Sequence, residues 1–166
     1  MDPKYYVALL TPDDVDILRE IRLEALQNNP EAFGSSYEEE AVYSDANLKE
    51  QLTKAKTFGL FYDNKIIGQV NFGVLPIKRT LHDGYLTGMY VTPSHRDKGI
   101  GSILLQAVIK YAQDKVIQLH LECISENKGV IKFYEKHGFV TFGTHPRALK
   151  DGDKFYDTNF MFLKLD

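Results

Sequence analysis

The run from Gly84 to Ile124 restricts the fold more than any other part of the chain. "GYLTGMYVTP" (84–93) is strand-like, residues 98–113 set Leu104, Leu105, Val108, Ile109 and Ala112 along one helical face, and "VIQLHLECI" (116–124) is short and β-rich. Strand, helix, strand in that order predicts a right-handed parallel crossover. The flanking sequence adds antiparallel pieces. "YYVALL" (5–10) reads as a first strand, and "FGLFYDNKIIGQVNFGVL" (58–75) as a hairpin turning at Asp63-Asn64. "GFVTFG" and "KFYDTNFMFLKL" read as two closing strands. Thr11 as N-cap and Pro12 at the first helical position predict a helix carrying Val15, Leu18, Ile21, Ala25 and Leu26. Asp45 is the expected cap of a helix over 45–56, and "EAFGSSYEEE" before it reads as loop or short helix. "NKGVIKFYEKHGF" (127–139) reads as a helix stopped by Gly138. The expected class is α/β with a mixed sheet: antiparallel first, parallel at the centre, antiparallel at the end. No linker, repeat or low-complexity tract appears, so one domain over 1–166 is expected.

Charge and cysteine usage narrow the function classes. A net charge of −3 argues against a broad nucleic-acid footprint. The single cysteine, Cys123, leaves no internal disulfide and fits a reducing compartment. No apolar run reaches the length of a membrane span, and the first residues lack the pattern of a signal peptide. The expectation is a cytoplasmic protein without a membrane partner. His82, His95, His120, His137 and His145 show no metal spacing with the cysteine, so no metal is expected.

The feature that points to chemistry is "VTPSHRDKGIGSILL" (91–105). A helix start leaves unpaired N–H groups and a partial positive charge, an arrangement that binds phosphate. Glycine there removes the Cβ that would hold a phosphate off the backbone. Arg96 can fork onto phosphate oxygens, and Lys98 adds a point charge. The stretch therefore reads as a pyrophosphate cradle. A nucleoside-triphosphate loop is excluded because its G-x-x-x-x-G-K-[ST] spacing is missing. A dinucleotide fingerprint is excluded because Leu104 stands where its third glycine belongs.

The pattern Arg96-x-x-Gly99-x-Gly101, with "MYVTP" before it and "NKGVIKFYEKHGF" after it, resembles the GNAT superfamily of acyl-CoA-dependent N-acetyltransferases. Asn127, Phe133, Tyr134, Gly138 and Phe139 match the second family motif, and Val130 replaces its usual alanine. The resemblance implies acetyl-CoA as cosubstrate. Its pyrophosphate would lie on main-chain N–H groups of Arg96, Asp97, Lys98, Gly99, Ile100, Gly101 and Ser102. The pantetheine arm would pair with Met89, Tyr90 and Val91, between two parallel strands that splay apart, with Gly88 marking a bulge. A backbone N–H near Met89 or Tyr90 would polarise the thioester carbonyl. Asn127 would bond the cofactor arm, cap its own helix, or both. Tyr134 is the expected general acid for the departing thiolate, besides contacting the cofactor.

The amine acceptor must lose a proton before it attacks, so a base or water chain is expected. Glu122 is one such base, pointing opposite to Leu121 and Cys123 on a regular strand. Glu38, Glu39 and Glu40 are alternatives, which otherwise read as a solvated helix face. Cys123 alternates with Leu119 and Leu121, so burial is expected and transfer should be direct, in a ternary complex. The acceptor is a small molecule, a peptide N-terminus or a protein lysine, shaped by residues 20–40 and 143–157. A non-catalytic acyl-CoA sensor is the competing reading, and a thioesterase or hydroxyl acyltransferase a third. Exposed edges of a mixed sheet are compatible with a homodimer.

Overall fold

A computed structural model describes residues 2–166. Seven strands form one mixed sheet in the order β1-β2-β3-β4-β5-β7-β6. They are β1 (Tyr5–Leu9), β2 (Lys56–Tyr62), β3 (Lys65–Val74), β4 (Asp83–Val91), β5 (Gln118–Ile124), β6 (Val140–Asp151) and β7 (Lys154–Lys164). The helices are α1 (Val15–Asn28), α2 (Tyr37–Ala41), α3 (Asp45–Lys54), α4 (Ile100–Gln113) and α5 (Lys128–Lys136). No described helix is long and apolar enough to cross a membrane. The chain forms two compact units: residues 1–73 with 86–112, and residues 74–85 with 113–166.

In the first unit, β1, β2 and β3 form an antiparallel meander. Its tight turn places Asp63 and Asn64 at φ 50° and 65°, the left-handed pair that a two-residue hairpin requires. Leu18, Ile21 and Ala25 of α1 are buried in a core that also takes Leu48 and Leu52 of α3, Phe61, Ile66 and Tyr90. Tyr111 of α4 meets Phe58 and Phe72 edge-on, at 5.2 and 5.7 Å between ring centres.

Two helix starts differ from the sequence expectation. Thr11 and Pro12 precede α1 instead of opening it. The Asp14 carboxylate accepts from the Thr11 N–H at 2.7 Å, closing a separate turn before helix begins at Val15. Ser44, not Asp45, caps α3: its hydroxyl accepts from the Asn47 N–H, and the Asn47 side chain accepts from the Ser44 N–H. "EAFGSSYEEE" contains the short helix α2, held by the same kind of reciprocal cap between Ser36 and Glu39.

In the second unit, β4 and β5 pair in parallel over Asp83–Tyr85 and Gln118–His120, as the crossover expectation requires. β7 pairs antiparallel with β5 on one side and β6 on the other. β6 runs to Asp151 and turns directly into β7, so residues 143–157 lie in a long antiparallel hairpin with two register irregularities. Gly138, at φ +91°, follows α5 in the left-handed conformation expected of a helix stop.

Candidate active site

The turn ahead of α4 belongs to the first unit. The Thr92 N–H donates to Ile67 O at 2.7 Å, then a short 3-10 turn covers Pro93–His95. Asp97 and Gly99 both take positive φ, 62° and 74°. A Cβ added at Gly99 would meet nothing within 4 Å, so the outside of the turn is open. The first turn of α4 holds no acid. Its leading N–H groups have no intrahelical partner by construction, and nothing negative in that turn opposes an anion.

The Arg96 side chain is committed inward. Its Nε donates to Val91 O and its Nη2 to Asn29 Oδ1, both at 2.7 Å, and its guanidinium stacks over Tyr90 at 5.3 Å. Its visible work is to brace the turn against α1. Lys98 Nζ donates to Ser94 O at 3.3 Å and remains exposed.

Two glycine positions act differently along this part of the chain. Gly88 lies inside β4 with φ +64°, the conformation of a glycine bulge residue. Gln69 Nε2 donates to its carbonyl at 3.2 Å. Met89 is half-buried, whereas Tyr90 and Val91 are buried. The Tyr90 hydroxyl donates to Glu24 and accepts from Asn28, so its ring is fixed from α1. Burial raises its pKa and the Glu24 carboxylate adds to the rise, with Asn28 and Arg96 opposing.

The remaining expected residues belong to the second unit. Asn127 is the N-cap of α5, its side chain accepting from the Val130 N–H at 3.2 Å. Tyr134 is 6% exposed and stacks edge-on against Phe133 and Phe139. Burial pushes its phenol well above the ordinary value, and the neighbouring Cys123 thiol adds to the rise. Cys123 is half-buried, where full burial was expected, and its thiol is pushed up to about 11, by desolvation first and by the Glu122 carboxylate second. That thiol stays protonated and unreactive at neutral pH. Glu122 is exposed, as its position opposite Cys123 predicts. Its carboxylate accepts from the Thr158 hydroxyl and lies 4.0 Å from His145 Nδ1.

Glu40 is not part of a solvated face. It is 6% exposed and takes two hydrogen bonds from Arg22, through Nε at 2.9 Å and through Nη2. Sequence reading missed Arg22, Glu24, Gln69 and Asn71. The available signals were a basic residue four after Leu18 on the inward stripe of α1, and a glutamine within an otherwise buried strand.

The glycine turn before α4 and the positive-φ glycine of β4 belong to the first unit, and the buried Tyr134 of α5 to the second. The model of the acetyltransferase (GNAT) family matches residues 18–139, and the chain belongs to that family. It is 34% identical to YwnH of Bacillus subtilis over 78 residues, which are 46% of this chain and 48% of that protein. The chain thus spans about half the length of that curated relative. The fold is similar to a GNAT-family acetyltransferase from Streptococcus pneumoniae, with a TM-score of 0.86 at 23% identity over 98% of this chain and 99% of that one. It is also similar to YncA of Salmonella typhimurium, solved with its cofactor acetyl-CoA. There the TM-score is 0.82 at 20% identity, over 98% of this chain and 95% of the other.

Proposed function

We propose that the protein transfers an acetyl group from acetyl-CoA to the nitrogen of an amine by direct attack in a ternary complex. The observation that carries this reading is the open, positive-φ turn at Gly99 leading into an acid-free helix start. The family membership and the acetyl-CoA of YncA support the choice of cosubstrate. Main-chain N–H groups from Asp97 to Ser102 hold the diphosphate and Lys98 adds charge, whereas the Arg96 N–H, also expected in this role, is spent on Pro93 O at 3.2 Å. The Arg96 side chain stabilises the turn from behind. Main chain at Met89–Val91 lines the pantetheine arm. The bulge at Gly88 turns an N–H near Met89 toward the thioester oxygen.

In the reaction the amine nitrogen forms a bond to the thioester carbonyl carbon. The C–S bond then breaks, its electron pair leaves on sulfur, and the proton that the nitrogen loses as the amide forms passes through solvent to the sulfur. Burial keeps the Tyr134 phenol protonated at neutral pH, so it has a hydrogen to offer. The same raised pKa makes complete proton transfer to a thiolate of ordinary pKa about 8.5 uphill. Tyr134 therefore acts chiefly by hydrogen-bonding the sulfur as negative charge develops. Glu122 takes the proton of the incoming ammonium, directly or through one water, with Thr158 orienting its carboxylate. Glu122 and Cys123 are strand neighbours on opposite faces of β5, and Tyr134 lies near Cys123. Base and acid thus approach from opposite sides.

Titration calorimetry with acetyl-CoA, paired with a thiol-release assay over a panel of amines, tests the reading. Acetyl-CoA should bind, and CoA should appear only when an amine is present. Gly99→Val should weaken acetyl-CoA at least tenfold. Binding without turnover on any amine would leave a sensor, and no binding would remove the reading altogether.

A further inference from the structure

The positive-φ glycine of β4, Gly88, is surrounded by nitrogen. A Cβ added at Gly88 would lie 3.0 Å from Asn71 Nδ2, 3.2 Å from Arg22 Nη1 and 3.3 Å from Gln69 Nε2. Three hydrogen-bond donors from β3 and α1 therefore crowd one small volume over the glycine.

Each donor is held by a bond made elsewhere. Asn71 Oδ1 accepts from the Thr57 hydroxyl at 2.8 Å, which aims the amide nitrogen away from Thr57. Arg22 spends Nε and Nη2 on the buried Glu40, leaving Nη1 outside that pair, and its guanidinium carbon sits over the Phe33 ring, 5.1 Å from the ring centre. Gln69 Nε2 reaches the Gly88 carbonyl, while its Oε1 is buried with no partner among the described residues. An unmatched buried acceptor costs about 1–3 kcal/mol, so an apolar side chain would be the more stable choice at this position. Gly88, Asn71 and Arg22 are only partly buried, so solvent or a ligand can reach the donors.

We infer that the donors over Gly88 bind an oxygen of the amine acceptor, and that the acceptor carries that oxygen on the carbon adjacent to its amine-bearing carbon, as in an α-amino acyl group. This rests on the acetyl-transfer reading, which puts the reacting thioester at Met89, one residue away. An oxygen on the carbon next to the amine-bearing carbon satisfies the Asn71 and Arg22 donors while the nitrogen faces the thioester. A lysine side chain or a simple alkylamine has no oxygen there and leaves the donors unmatched, and such mismatch discriminates strongly between substrates. Glu40 neutralises Arg22, so the donors suit a neutral carbonyl as well as a carboxylate. The shared chemistry is therefore N–Cα–C=O, found both in free amino acids and at peptide N-termini.

The test is the initial rate of CoA release with alanine, alaninamide, n-propylamine and cadaverine at saturating acetyl-CoA. Rates are compared per free amine, because a terminal α-amino group such as that of alaninamide and an alkylamine differ by more than two units on reference values of about 8 and 10.4, while the carboxylate of free alanine lifts its amino group toward the alkylamine range. The expected result is a kcat/KM for alanine or alaninamide at least tenfold above both alkylamines. Whichever of the two is faster identifies the free carboxylate or the peptide carbonyl as the source. Asn71→Asp keeps the oxygen that accepts from Thr57 and removes the donor, so it should reduce that preference at least fivefold. Alkylamines used as well as alaninamide by the native protein overturn the inference while leaving the acetyl-transfer reading intact, whatever the variant does. Should no amine release CoA, that reading fails. Titration calorimetry of alanine and alaninamide into the native protein then decides: saturable binding that Asn71→Asp weakens supports the oxygen site, and no saturable heat overturns it.

Discussion

Two side chains that influence each other electrostatically, Tyr134 and Cys123, carry the sharpest consequences at the scale of single residues. Tyr134→Phe keeps the ring that meets Phe133 and Phe139 and removes only the hydroxyl. We expect kcat to fall about 10²-fold, at the lower end of what a positioned acid supplies, with the acetyl-CoA Kd unchanged by calorimetry. An unchanged kcat would remove Tyr134 from the chemistry. Cys123 makes an alkaline prediction. Its folded pKa is about 11, above the ordinary 8.5 of an unfolded thiol. A raised folded value means the unfolded chain gives up its proton first. Stability is therefore full below about pH 8.5 and is lost as pH rises toward 11. Cys123→Ala should flatten the fall in urea midpoint over that window, and the native thiol should resist iodoacetamide at pH 8. A thiol that alkylates at the rate of a free cysteine there would show that burial does not govern it.

At the scale of elements, α1 and α2 are joined by the Arg22–Glu40 pair, whose side chains are 13% and 6% exposed. Glu40→Gln leaves the guanidinium buried without its counter-charge. The expected cost is about 3–5 kcal/mol, read as a lowered urea midpoint at constant slope. A loss under 1 kcal/mol would mean that water reaches Arg22 freely. This pair also marks where sequence legibility ended. The hairpin at Asp63-Asn64, the crossover through α4 and the stop at Gly138 were legible because each is encoded within a few residues, by turn chemistry or by apolar period. Two helix starts were misread because several polar residues compete for each cap. Ser44 beats Asp45 by having Asn47 three residues on, and the Asp14 carboxylate is drawn into the Thr11 turn. Glu40 looked solvated because its partner lies 18 residues away on another helix. The Asn71, Arg22 and Gln69 donors converge from two distant segments, so no local pattern announces them. Motif residues such as Gly99 and Tyr134 were visible, whereas the inward commitment of the Arg96 guanidinium was not.

For the whole molecule, ligand binding is read most directly through stability. A ligand that binds only the folded chain adds RT ln(1 + [L]/Kd), about 2.7 kcal/mol at a hundredfold excess over Kd. For a chain of this size each kcal/mol moves the midpoint by roughly 2–4 °C, so acetyl-CoA at that excess should raise Tm by roughly 5–10 °C. The shift also reports which part of the ligand the protein grips. If main-chain N–H groups at the Gly99 turn hold the diphosphate, CoA should protect nearly as well as acetyl-CoA, whereas pantetheine, which lacks the diphosphate, should protect far less at equal concentration. The protection by CoA should also shrink between 50 mM and 500 mM salt, because the attraction of the diphosphate to the turn depends on a local positive field that salt screens. Pantetheine protecting as well as CoA, with no dependence on salt, would place the binding energy on the strand backbone at Met89–Val91 and leave the glycine turn without a ligand to explain it.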